Sequence, residues 1–544
     1  MATDLPTLPE DVLLQVLPHL DAVSLARFSM MCKFLYETIK ESPLMTYTIE
    51  LYLNGMVDSR ETIVEPYLEL INRLRRRRQA YVTPMWIKNT TVYMQFLGIN
   101  TNLVGGIFVS NSPSRSELGV LPVSYGISEP QLSSPRPNNI GTSILNVNLD
   151  PSQDLFVLVE NEPFDGPTDY VDDVPRTVRI HLRTIFEDDP HPRARKKALE
   201  YIIIPTGIQG TYLHTSSLYI EGHILAHYYF CGEDPGRTQP RVLIWDWTTS
   251  ELILDSSSSS PALLPTLLSR FHLIDSRHFF VLSELNSGSI KMYKLASNGT
   301  SSIHLVTLHL PLCAPSVHIS GLNSHAGPTG PHFRSSTQYL RVNDDDRLHV
   351  FTFDYEYPGA MFIGEYNIPN LKYLDLFVHQ RMFAQYFYLE MAPMTDLPLD
   401  MPWAKWGSAN TKILWPSRIQ NAYAGLRDIH GQRVVLPVFR GSNLRLYPET
   451  NSVEILDFSL AAILSVGHHD PLENDDAGLL LPPTMIKTSE IPLFLDDVET
   501  HLPCVSFTTD LDRTYTSFRI HADGFVGTNM GPSRGNAIVD AYTI

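Results

Sequence analysis

The chain has 544 residues, 43% hydrophobic and 18% charged, with a formal net charge of -18. That length exceeds one compact core and leaves room for several domains, or for one large β architecture with an appendage. The negative charge repels phosphate backbones, which excludes general nucleic-acid binding short of a local basic patch, and no apolar run approaches the roughly 18 to 20 residues of a membrane helix.

The opening MATDLPTLPED is acidic and has no basic region followed by an apolar stretch, so it reads as something other than a secretory signal. Cys32, Cys231, Cys313 and Cys504 lie far apart with no CxxC pair, which predicts reduced thiols in a cytosolic or nuclear protein. The sequons at Asn89 and Asn298 are then expected to stay unmodified.

From Leu8 the sequence LPEDVLLQVLPHLDAVSLARFSMMCKFLYETIKESPLM has apolar residues at helical spacing. Val12, Leu13, Val16, Leu17 and Leu20 form one stripe; Leu25, Phe28, Met31, Phe34, Leu35 and Ile39 form a second. Pro9 suits a first helical position, Glu10 and Asp11 suit the positive helix end, and Asp21 and Ser24 offer caps for the next helix. Pro18 and Pro43 interrupt or end helical segments. The reading is three short helices in about forty residues, a unit too small to bury so many apolar side chains by itself, so that some should face a partner.

The order Leu8-Pro9-Glu10, Val12-Leu13, Val16-Leu17, Leu20-Asp21, Ser24-Leu25, Cys32-Lys33-Phe34 resembles the F-box nearly position for position. The resemblance implies docking onto a Skp-type adaptor and, through it, a cullin-RING ligase. By carry-over, Leu8, Pro9, Leu13, Val16, Leu17, Leu20, Leu25, Met31, Cys32 and Phe34 supply the adaptor interface or its support. Met31 stands where the family usually has Val, an adaptable replacement that bears on affinity more than on binding.

Residues 46–55 read as another helix ended by a left-handed Gly55, and Pro66 opens a further helix into the run Arg73, Arg75, Arg76, Arg77 and Arg78. These arginines read as lying near a helix C-terminus, where cations meet the negative dipole, on a solvated face or at an inter-domain contact. A targeting or nucleic-acid patch is the other reading. IELYLNGMVDS followed by an Arg-rich helix and an aromatic stretch also resembles large F-box proteins of mushroom-forming fungi.

After about residue 85 helical periodicity fades, and short β-branched and aromatic runs alternate with turn residues, in keeping with 40 Pro against 30 Gly. Such runs include 154–160, 176–185 and 224–230, a pair of strands about a polar turn at 241–254, and a hairpin over 278–295 turning at Asn286-Ser287-Gly288. The rhythm predicts a β-propeller of six or seven degenerate blades, closed by pairing a strand near 92–99 with the C-terminal strands; paired β-sandwiches are the alternative. Trp245-Asp246 is similar to the end of a WD-repeat strand, although it occurs once and without the expected period of about 40 to 45 residues. The division is thus F-box (1–45), helical connector (46–84) and β-propeller (85–544). Long connections at 110–141, 161–175, 232–240, 255–261, 321–336 and 468–482 read either as specificity loops or as insertions.

No chemistry-bearing motif stands out. Cys313, His318, His325 and His332 lack the tight pairs of structural zinc sites, and His468-His469-Asp470 reads as an acidic loop. The acidic runs at 344–346 and 496–497 read as turns. The expectation is a non-catalytic subunit of an SCF (Skp–cullin–F-box) ubiquitin ligase, without cofactor or metal, whose β domain binds a protein substrate. Two other readings stay open: an adaptor-bound scaffold outside ubiquitin transfer, and a propeller glycosidase, which would need paired carboxylates in the axial cleft.

Overall fold

The computed structural model of the chain describes residues 10–60, 65–82, 86–94, 101–111, 117–123, 138–139, 143–161, 176–203, 213–231, 240–257, 264, 270–296, 302–328, 340–363, 366–388, 398–414, 428–438, 449–466, 478–522, 524–530 and 537–543.

Helices α1 (Glu10–Val16), α2 (Ala22–Ser29), α3 (Lys33–Glu41) and α4 (Pro43–Leu53) come first. A 3-10 turn containing Pro18 ends α1, and Asp21 caps α2 by accepting from the Ser24 backbone N–H at 2.8 Å. Ser42 caps α4, with Pro43 in its first turn, where no N–H is missed. Leu13, Leu17, Leu25, Leu35, Ile39 and Met45 close a small core, with Leu20, Phe28, Cys32 and Ile49 packed against it.

Helix α4 is apolar on both sides because it walls two cores. Met45 and Ile49 face the first helices, while Tyr47 and Leu51 join Leu70, Ile71 and Leu74 of α5 (Tyr67–Val82). Gly55, at φ +60°, ends the segment and turns the chain into strand β1 (Met56–Asp58). That strand pairs antiparallel with Leu340–Val342, and Leu340 enters the connector core. The connector is therefore part strand, and the propeller supplies its second strand.

The arginine run sits differently from expectation. Helix α5 continues to Val82, so its last turn carries no basic residue and the dipole argument falls away. Instead Arg75 Nε and Arg78 Nη1 reach the buried carboxylate of Glu50 on α4 at 2.6 and 3.1 Å, Arg73 lies 3.4 Å from Glu65, and Arg77 is buried beside Met56. The run is a seam between two helices.

Beyond the connector, seven antiparallel sheets follow one another. Blades 1 to 6 begin with strands Thr101–Val104, Ser143–Asp150, Leu213–Glu221, Arg270–Leu273, His318–Ala326 and Asp428–His430; blade 7 begins with Ser517–His521. Blade 7 is completed by Ile87–Met94, which pairs with Ala537–Thr543 and so joins the two ends of the β region. The propeller therefore has seven blades, and closure uses a segment slightly earlier than expected. Both sequence-predicted hairpins are present: Arg241–Asp246 with Glu251–Asp255, and His278–Ser283 with Ser289–Leu295. The second turns through Asn286, Ser287 and Gly288, all at positive φ. Trp245 is buried in the seam between blades 2 and 3, while Asp246 Oδ1 accepts from the backbone of Thr248 and Thr249 and shapes the turn.

Insertions missed by the periodicity reading decorate the blades. Helix Trp403–Asn410 follows strand Leu399–Met401, which adds parallel to blade 4, and helix Leu460–Val466 covers the last strand of blade 6. Most of the long connections singled out in the sequence lie outside the described residues, though 321–326 proves to be strand.

Candidate interaction surfaces

The F-box-like residues fall into two groups. Leu13, Leu17 and Leu25 point into the helical core, with Leu20 and Cys32 half-buried at its edge. Val16, Met31 and Phe34 are exposed, at 52%, 61% and 40%. Each predicted stripe is thus split. Leu13 on α1 and Leu17 in the 3-10 turn after it both face inward, and Val12 and Val16 lie about 100° away round the helix. Leu8 and Pro9 lie outside the described residues. The outward set grows to seven with Val12, Leu14, Met30 and Tyr36, so these 25 residues hold seven of the 20 large apolar side chains that are exposed among the described residues. No other stretch of this length among the described residues exposes as many.

The helices are held firmly against the propeller. Tyr81 of α5 is buried in the core between blades 6 and 7, and its hydroxyl donates to the carbonyls of His521 and Ala522 in the first turn of blade 7. The Arg433 guanidinium stacks over the same ring and donates to Asp457 at 2.7 Å. On the other flank, the Gly55 carbonyl accepts from Asn343 at 2.9 Å, and Tyr47 donates to Asp58, which also takes a bidentate Arg60. The connector thus engages the first turns of blades 5, 6 and 7. In an antiparallel blade those turns share one end of the propeller, opposite the connections that link blade to blade.

The innermost strands are laced by side chains around the axis. Arg519 of blade 7 donates to Thr101 of blade 1 at 3.1 Å; Asn102 donates to Asn148 of blade 2 at 3.3 Å, and Asn148 to Leu218 of blade 3 at 2.8 Å. Arg347 in blade 5 donates to Glu221 of blade 3 at 2.9 Å, to Ile274 of blade 4 and to Gly327 of its own blade. Arg270 of blade 4 donates to Leu322 of blade 5, and Asp428 of blade 6 accepts from Ile520 of blade 7. Inside this ring lies an axial cavity of about 410 Å³. Its lining includes Gly105, Pro151 and Gly327, just past the first strands of their blades, and Glu221 at the end of its own, which places it toward the connector end.

Three carboxylates line the cavity, and each is already engaged. Glu221 is held by Arg347, Asp150 accepts from Ser152 and Gln153, and Asp428, whose carboxyl burial pushes up to about 6, accepts from Ile520. Elsewhere, His318 lies 3.2 Å from Glu356, Asp346 takes the Asn343 amide in a 3-10 turn and Asp497 accepts from Thr488. Among the described residues no three His, Cys, Asp or Glu side chains are grouped to hold a metal ion. His332 and 468–470 lie outside the described residues.

The interlocking of Tyr81, Arg433 and the axial ring was not legible in the sequence, because partners such as Tyr81 and His521 lie 440 positions apart.

Residues 5–47 match the family model of the F-box domain. No curated protein matches the chain. Among solved structures, 57 chains match. They include the C-terminal WD40 domain of Sif2 (9% identity, 84% of this chain and 97% of that one, TM-score 0.29). The complex of the fission yeast SREBP-SCAP binding domains (12%, 66% and 92%, 0.25) and an endo-arabinase from Bacteroides thetaiotaomicron VPI-5482 (11%, 43% and 74%, 0.20) are also among them. At these TM-scores the blade count rests on the chain's own strand pairing.

Proposed function

We propose that this F-box-bearing propeller is a substrate-recruiting, non-catalytic subunit of an SCF-type ubiquitin ligase, acting in the cytosol or nucleus. The observation that carries the reading is the apolar surface left open on helices α1 to α3 within the F-box match. Val16, Met31 and Phe34, together with Leu8 and Pro9 of the F-box pattern, dock on a Skp-type adaptor, and Leu13, Leu17 and Leu25 hold the helices in the docking arrangement.

The propeller grips a protein substrate. Holding the substrate beside the charged conjugating enzyme raises the effective concentration of its lysines, which requires fixed geometry and no acid or base on this chain. The three successive cores that α4, α5 and blades 6 and 7 help to form support that role, because they set the distance from adaptor to propeller.

The test is co-purification of the full chain with a Skp-type adaptor and a cullin. Recovery of both, lost together on changing Leu8 and Pro9 to Ala, is the expected result. Adaptor recovered without cullin would replace the ligase reading with that of a scaffold, and failure to recover adaptor would overturn both.

A further inference from the structure

We infer that the end of the propeller opposite the connector carries a docking ridge for a basic segment of a protein, built around Leu312 and Leu495. The inference deepens the substrate-recruiting reading and rests on it only for the fate of what is bound.

An insertion makes the ridge. Between its third and fourth strands blade 6 sends out a hairpin, Thr484–Ile486 paired with Val498–Thr500. The foot of the hairpin is held on the outermost strand of blade 5, where Leu502 donates from its backbone to Thr411 at 2.9 Å and Ile413 donates to Thr500 Oγ1 at 3.1 Å. The tip reaches the link between blades 4 and 5: the Ala314 N–H donates to the Leu493 carbonyl at 2.8 Å, and the Leu495 N–H to the Leu312 carbonyl at 2.9 Å. That link follows the last strand of blade 4 (Ser302–His309), and links between blades lie at the end away from the connector.

Residues opposite each other across an antiparallel pair share a face, and successive residues alternate faces. Cys313 and Phe494 are bridged, and Phe494 is buried, meeting Tyr355 edge to face at 5.6 Å, with Cys313 packed against the same core. Leu312 and Leu495, one place along, turn the other way and stand 57% and 52% exposed. Leu285, also exposed, lies in the adjoining turn, whose Ser287 hydroxyl accepts from the Cys313 N–H at 2.9 Å. Ile486, Leu493, Phe494 and Val498 anchor the insertion, and the outward leucines take no part in that core. Isolated surface leucines are ordinary, but two set directly across from each other form an apolar step that a partner's side chains can cover.

The surrounding charge selects the partner. Residues 487–501 hold Glu490, Asp496, Asp497 and Glu499 against one lysine, Lys487. Lys487 is engaged by Glu490 at 3.4 Å, and Glu499 lies 3.4 Å from His501. Asp496 and Asp497, directly after Leu495, are exposed; Asp497 accepts from Thr488, and neither forms an ion pair among the described residues. A segment with Lys or Arg beside large apolar residues satisfies both the step and the charge, whereas an acidic segment is repelled.

The full-length chain is titrated into fluorescein-labelled heptapeptide pools and binding is read by anisotropy. One pool is Lys-Arg-Z-Z-Z-Arg-Lys and a second Glu-Asp-Z-Z-Z-Asp-Glu, with Z an equal mixture of Leu, Ile, Val, Phe and Met; the third peptide is Lys-Arg-Ser-Gly-Ser-Arg-Lys. Saturable binding of the first is expected, with the other two weaker by at least about 10-fold. Leu312→Ser and Leu495→Ser should each weaken it by roughly 3- to 10-fold, the worth of covering the open half of one leucine. Asp496→Lys should weaken it more at low salt than at high salt. All three positions are exposed, and circular dichroism checks that the variants fold. No saturable binding, equal binding of either control, or binding unchanged in both leucine variants overturns the proposal. Such a failure with adaptor and cullin still recovered strikes this surface alone, while peptide binding without recovery of adaptor keeps the surface and strikes the ligase reading.

Discussion

The guanidinium of Arg433 sits 3.7 Å from the centre of the Tyr81 ring, so a cation from blade 6 and an aromatic from helix α5 form one stack at the base of the propeller. Around that stack, Trp86 meets Tyr81 edge to face at 5.1 Å and Phe525 at 5.0 Å. Asp457, almost wholly buried, neutralises the guanidinium. The junction of connector and propeller is therefore a packed core holding a charge pair, rather than a hinge.

Arg433→Met should destabilise the chain by about 3 to 5 kcal/mol, because it strands the Asp457 carboxylate in the interior. Urea denaturation followed by tryptophan fluorescence measures it. Adding Asp457→Asn, which removes the stranded charge and can keep the bond from the Ser459 N–H, should recover most of the loss. A double variant no better than the single would show that the stack, not the charge pair, holds the junction.

On the F-box helices, exposed and buried positions should separate cleanly. Met31→Lys and Phe34→Lys are expected to change stability by less than about 0.5 kcal/mol while sharply reducing capture by a Skp-type adaptor. Leu25→Ala, at a position with no exposure, should cost about 2 to 5 kcal/mol and lower capture only through unfolding of the helices. A pull-down combined with thermal denaturation distinguishes the two, and undiminished capture by both lysine variants would remove this face from the docking model.

Gly55 and Gly222 share φ of +60°, but their surroundings differ. A Cβ on Gly55 would lie 2.5 Å from Gln432 Nε2, whereas one on Gly222 would meet nothing within 4 Å. Gly222→Ala should cost the left-handed backbone penalty alone, about 1 to 2 kcal/mol. Gly55→Ala should cost more, with the excess measuring how closely the connector turn presses on blade 6. Equal losses in parallel denaturation curves would deny that contact.

The fold should weaken in acid. Burial lowers His227 and His349 to about 3 and His379 to about 4, from an ordinary 6.5 that applies in the unfolded chain. The unfolded state then binds protons that the folded state refuses. Stability is complete above about pH 6.5 and falls as pH drops toward the folded values, by roughly 1.4 kcal/mol per pH unit for each histidine. Asp428, raised to about 6, acts oppositely: its contribution is present at low pH and is lost as pH rises through 6. Asp344 and Asp346, also raised by burial, act in the same sense as Asp428, while His272 and His304, lowered by burial, act with the three histidines. His227→Phe should flatten the decline between pH 6.5 and 4, as read from urea midpoints, and an unchanged slope would mean that His227 titrates normally.

Local order determined what could be read before any coordinates. Apolar spacing and the Asp21 cap specify short helices, and alternating runs with turn residues specify blade hairpins such as 278–295, because both depend on neighbours within a few positions; that Ser42 and Pro43 open α4, and do not merely end the helix before it, came from the structure. The F-box match at 5–47 was legible for the same reason, its pattern being contiguous. Tertiary structure decided which half of each apolar stripe stayed open, since Leu13 and Val12 are alike in chemistry and only packing against Leu25, Leu35 and Met45 assigns their sides. It also turned the arginine run into a seam with Glu50, brought β1 to Leu340–Val342 and seated Tyr81 under Arg433. The axial ring, from Arg519–Thr101 to Arg347–Glu221, likewise joins residues separated by up to 418 positions. Pairings across such separations leave no periodic trace in a single sequence; they are selected only when closure of the whole propeller leaves each buried charge and donor one place to go.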